Sequence, residues 1–295
     1  MQSEQANLRY PLTWEANLLV AAVIVIILIG GAASLVFGLI AILIAQAFVI
    51  LPAALWIAIR RYPVRATLRL YPINGRIVMW SALIGLVCWP VVAGMATLFE
   101  QGFALIGPGP QITYPTGWVE SVFYALYLIV LAPITEEPVF RGFVLSAWLR
   151  RGTALGLVIS GFLFALIHFH LAAIIPLTFL GIALGLLVLR SNSLYASLIA
   201  HTCYNTIGAL FIIIPSLREP PEGPMIIVAA IALPIEILLL WAFVRRFPTS
   251  AQASLPRESS SWVWTILSLL AVLAISGLTS VGELFLRLSP DLVSP

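Results

Sequence analysis

Glu136, Glu137 and Arg141 stand in the run LAPITEEPVFRGFVL, residues 131–145, where apolar residues dominate. Ionisable groups inside an apolar span cost about 2.5–3.5 kcal/mol each on insertion scales and face a protein interior or a water-filled cavity. Few others sit at comparable depth: His168, His201 and Asn205, and farther on Glu236. Residues four apart share a helix face, so Glu137 pairs with Arg141 in the favourable order. A paired Glu137 is held ionised and is a poor proton acceptor. Glu136, about 100° around the helix, is freer to act. Pro138 lacks an N–H for the carbonyl of Ile134, so the spacing predicts a bend and a free carbonyl there. His201 and Asn205 are also four apart, as are Phe164 and His168.

Three helices thus each present polar groups: a carboxylate, an imidazole, and an imidazole with an amide. This set suffices for hydrolysis. A glutamate can take a proton from water with help from a histidine, and a histidine and an asparagine can donate to a developing oxyanion. Glu137–Arg141 reads as structural support and Phe164 as packing that shapes the pocket. His170 is expected near the membrane surface. Glu236, beside Pro234, is expected to be a protonated acid bonded to a backbone carbonyl, and could instead line the same cavity. Cys203 lacks a base partner and makes a poor candidate nucleophile.

The elements that must hold these groups follow from composition. The chain is 61% hydrophobic and 9% charged, against roughly 25% charged in soluble domains. This is the composition of an integral membrane protein. Every basic residue apart from the histidines is arginine, and the arginines lie in short runs between apolar segments. They read as topology signals, not as a nucleic-acid surface. Cys88 and Cys203 both fall in apolar helices, which argues against a disulfide framework. No basic region followed by a cleavage site precedes the first apolar stretch, so it is expected to be retained as a helix.

A spanning helix needs about 20 mainly apolar residues. That rule predicts nine, over 15–31, 34–59, 77–99, 118–149, 153–169, 171–189, 194–214, 225–244 and 262–285, the first two split at Gly30-Gly31. The fifth and sixth are short. The loop carrying Arg60, Arg61, Arg65, Arg69 and Arg76 should be cytoplasmic by the positive-inside rule. Alternation then places Arg150-Arg151, Arg190 and Arg245-Arg246 on the same side, with the N-terminus inside and the C-terminus outside. Residues 248–261 read as a linker. No internal repeat is visible.

The polar residues resemble the signature of the CPBP family of intramembrane proteases: type II CAAX prenyl endopeptidases, Abi-like proteins and lysostaphin-resistance-like proteins. The family pattern E-E-x-x-x-R, F-x-x-x-H, H-x-x-x-N/D stands here as EEPVFR (136–141), FALIH (164–168) and HTCYN (201–205). The resemblance covers about 117–210. It implies an all-α polytopic transmembrane bundle with an eight-helix protease core and an added ninth C-terminal helix. The chain then divides into N-terminal helices and the arginine-rich loop (1–116), the protease-like core (117–210) and C-terminal helices (211–295). By the same resemblance Glu136 is the base and His168 its partner, with His201 and Asn205 as oxyanion donors and Glu137 and Arg141 as support. No metal is required by this reading. Were one present, His168, His201 and Glu136 would be its ligands and zinc the candidate. The implied substrates are membrane-associated peptides or proteins, among them prenylated CAAX proteins and peptide precursors. Lipid is the surrounding partner, and the all-arginine composition points to a bacterial plasma membrane. Two rivals stand beside this reading: a non-catalytic scaffold or bacteriocin self-immunity protein on the same fold, and a proton-coupled transporter, whose usual internal repeats are missing.

Overall fold

The computed structural model describes residues 10–109, 114–218, 220–247 and 256–289. Among these residues there is no strand. Nine helices of ten residues or more follow one another among them: α1 (Thr13–Phe37), α2 (Leu39–Arg60), α3 (Gly75–Ala104), α4 (Trp118–Leu149), α5 (Thr153–Leu166), α6 (Ile174–Ser191), α7 (Leu194–Ile213), α8 (Glu222–Arg246) and α9 (Trp262–Leu288). All but α5 are long and apolar enough to cross a membrane, α6 counted with the short turn before it. The protein is therefore an integral membrane helix bundle.

Several helix limits lie a few residues from those expected, and two have a visible cause. The predicted break at Gly30-Gly31 is absent, and α1 runs on to Phe37. The chain turns at Gly38, whose φ of 58° is the left-handed conformation a glycine adopts without strain. Gly30 instead lets α2 approach, since a Cβ there would lie 2.2 Å from the Cβ of Ala45. The fifth helix ends at Leu166, not at 169, because Phe169 takes a φ of 50° that no helix continues through. Its 14 residues rise about 21 Å, too short for a hydrocarbon core of about 30 Å.

Even so, α5 passes from one end of the bundle to the other. At one end Arg60 pairs with Glu15 at 2.8 Å and Arg151 with Glu258 at 3.0 Å. There too Arg150 donates to the carbonyls of Tyr10 and Pro11, Arg69 to Asn192, and Arg190 to the carbonyl of Val244. The arginine clusters expected on one side thus share one end of the molecule. At the opposite end Glu100 of α3 binds Arg287 of α9 and His170, and Glu283 accepts from the backbone N–H of Leu171. Most of the expected linker 248–261 lies outside the described residues.

Buried residues from α1 (Leu19), α3 (Cys88), α4 (Phe140), α7 (Ala200) and α9 (Val272) form one core. α9 is joined to α1 by side-chain hydrogen bonds: Thr13 to Thr265 at 2.6 Å, and Asn17 to Ser268 at 3.0 Å. Asn17 also accepts from the indole of Trp148 on α4 at 3.1 Å. α3 and α7 meet backbone to backbone, since a Cβ on Gly85 would fall 2.1 Å from the carbonyl oxygen of Ala200. That contact sets the depth of the residue that follows, His201.

Candidate active site

α4 is not a uniform helix. It widens to π-helix over Tyr127–Leu131 and again over Pro138–Val144, with the glutamate pair between. Proline accounts for the polarity this creates. The N–H of Ala132 goes to Tyr127. The next donor along, at position 133, belongs to a proline and does not exist. The carbonyl of Leu128 is left over, and the amide of Asn205 on α7 donates to it at 2.7 Å. Thr202 donates to the neighbouring carbonyl of Ile129 at 3.2 Å. In the second wide turn Ser160 of α5 donates to the carbonyl of Phe140 at 3.0 Å. The irregular helix is therefore tied to α7 and α5 through its own loosened backbone, as π-bulges at functional sites often are.

Between these turns the expected side chains come together. Glu137 is fully buried, and its Oε1 accepts from Arg141 at 2.9 Å and from Nδ1 of His201 at 2.8 Å. The i,i+4 pair is present as read from spacing, and His201 is its third member. Because Nδ1 of His201 donates to Glu137, Nε2 is turned towards Glu136, 4.0 Å from its Oε2. Arg141 also lies over the ring of Phe164, 4.0 Å from its centroid. His168 packs edge-on against that ring at 4.9 Å and His201 at 5.8 Å. Phe164 is the wall that both histidines share.

Two partners differ from those expected. His168 gives its Nδ1 proton to the carbonyl of Phe164 at 3.0 Å, leaving Nε2 as its free nitrogen. The imidazole recorded against Glu136 is that of His201. Asn205 commits one amide hydrogen to Leu128 and retains a second. His170 stands at the far end on Glu100, 3.2 Å away. Glu236 is buried on α8, and neither carboxyl oxygen has a hydrogen-bond partner. The carbonyl bond expected for it is not made. Both cysteines are free thiols.

Sequence reading passed over Gln46 and Thr135. The Gln46 amide donates to Oε1 of Glu136 and to Oγ1 of Thr135, both at 2.9 Å. A signal for Gln46 existed, since it is the sole residue of 39–59 that is not apolar, aromatic or proline. Depth is fixed by the rise of α7: His201 and Asn205 lie about 10 and 17 Å along it from Leu194, well inside a hydrocarbon core of about 30 Å.

Among the described residues no three His, Cys, Asp or Glu side chains are grouped to hold a metal ion. Two ligands of a tetrahedral zinc would stand about 3.3 Å apart, and Glu136 Oε2 and His201 Nε2 are 4.0 Å apart.

No curated protein and no solved structure matches the chain. Residues 118–207 match the family model described as type II CAAX prenyl endopeptidase Rce1-like. The match runs across all three motifs, from Glu136 to Asn205, and over this segment, less than half of the chain, the protein is similar to that family.

Proposed function

We propose that the protein is an intramembrane endopeptidase that hydrolyses a peptide bond of a membrane-associated substrate with water activated by Glu136. The family match supports CAAX-type endopeptidase activity in general. The observation that carries the finer reading is the 4.0 Å separation of Glu136 Oε2 and His201 Nε2. One water oxygen can sit about 2.8 Å from both groups, within hydrogen-bond range of each. Glu137 accepts from Nδ1 of His201, so Nε2 is the ring nitrogen that faces that water.

In this reading Glu136 takes a proton from the water as its oxygen bonds to the carbonyl carbon. The second amide hydrogen of Asn205 meets the oxyanion. Collapse breaks the C–N bond, and Glu136 returns its proton to the leaving nitrogen. The products are a carboxylic acid, which then gives its proton to solvent or to the amine, and the amine. Relative to the roles implied by resemblance, His201 takes the place of His168 beside Glu136. No step needs a metal, so treatment with a strong chelator is expected to leave turnover intact.

The test compares protein termini in membranes of cells carrying wild-type protein or Glu136→Ala at equal expression. Specific termini are expected to vanish in the variant, a loss of about 10²–10⁴-fold for a general base. Unchanged termini would sink the reading and favour a scaffold on the same fold. The lost sites name the substrate, whether a prenylated CAAX protein or a peptide precursor.

A further inference from the structure

We infer that Gln46 is a positioning residue for the Glu136 carboxylate, supplied by α2 from outside the family segment 118–207. The inference rests on the proposed role of Glu136. α2 is apolar on every side along this stretch, and several of its side chains, Ile40, Ile44 and Phe48 among them, are exposed where lipid would lie. A primary amide in such a helix is unfavourable unless a partner meets it. Gln46 is 6% exposed and turned inward.

The direction of its amide follows from its partners. The hydroxyl of Thr135 gives its proton to the carbonyl of Leu131 at 2.8 Å, so it offers Gln46 a lone pair. An ionised Glu136 offers only lone pairs. Both atoms facing Gln46 are acceptors, so the NH₂ group must point to them and each amide hydrogen has one target. Oε1 of Glu136 is thereby held, and Oε2 is left towards His201. Were Gln46 absent, the carboxylate could rotate about its last bond and exchange the two oxygens. The side chain also fixes α2 against α4 at the level of the reacting groups. Nothing in 118–207 replaces it, so a catalytic segment cut from the first two helices would lack this donor.

The test uses Gln46→Met, which keeps the volume, removes the donor and suits an apolar helix. The full chain is placed in lipid nanodiscs. Infrared difference spectra of wild type minus Glu136→Gln isolate the Glu136 carboxyl band. The same pair in a Gln46→Met background is expected to show that band displaced. Turnover of the substrate recovered from the termini comparison is expected to fall roughly 10- to 100-fold in kcat, the size of one charge-assisted hydrogen bond, with KM within twofold. Thr135→Val, which leaves the bond to Glu136 intact, is expected to lower kcat less. An unmoved band overturns the inference, as does a kcat within twofold of wild type while Glu136→Ala is inactive. If Glu136→Ala still cleaves, the functional reading itself fails, and the band still reports whether the bond exists.

Discussion

Two parts of the bundle bury glutamates at comparable depth, and they differ in company. On α4, Glu137 and Glu136 meet groups from α2, α7 and their own helix: Gln46, His201 and Arg141. On α8, Glu236 is as deeply buried and meets none. An acidic residue in an apolar span is therefore only a pointer. What makes a site is convergence, in which several helices each give up an apolar position to face the same point. The α4 region has that property and the α8 region does not.

Breaking the α4 network should show this most strongly. Glu137→Leu leaves Arg141 buried without its carboxylate and frees Nδ1 of His201. A loss of about 3–5 kcal/mol is expected, as for other broken buried pairs, read as a large fall in the thermal midpoint in detergent. Restored stability in the double variant Glu137→Leu, Arg141→Met would locate the cost in the orphaned charge. Next in size, Asn205→Leu strips the donor from the Leu128 carbonyl. About 1–3 kcal/mol of stability should go with an unsatisfied buried carbonyl, together with most of the turnover. Unchanged turnover in this variant would take the oxyanion role from Asn205. The smallest effect is expected at α8. Glu236→Leu removes no hydrogen bond, and the thermal midpoint should stay the same or rise while cleavage stays within twofold. A sharp loss of cleavage would show that the α8 carboxylate belongs to the reaction after all.

Much of this arrangement was legible from spacing, and the reasons are physical. A four-residue interval fixes a shared helix face, so Glu137–Arg141 and the approach of Phe164 to His168 could be read from the chain alone. The distribution of arginines gave the two ends of the bundle. Contacts between helices far apart in sequence carry no interval. The bond between Gln46 and Glu136 spans 90 positions, and nothing periodic links them. The choice of histidine facing Glu136 was hidden for a related reason, because it turns on which ring nitrogen Glu137 and the Phe164 carbonyl engage. The turn at Gly38 was missed because Gly30 and Gly31 look alike to a composition rule. Only the approach of Ala45 tells a packing glycine from a turning one.

The wide turns of α4 bear on how this chain can change over generations. Each π segment accommodates a residue more than the α-helix would in the same rise. A deletion of one codon within 127–131 would return that stretch to ordinary pitch and leave everything beyond it close to register. A codon lost from 132–135, where the helix has no residue to spare, would instead turn Glu136 and Glu137 by about 100° against the segment before them, although no residue of the site had been altered. The length of α4 is thus as much a part of the inheritance as the letters of its motif, and lineages that keep the letters but lose the count should lose the chemistry.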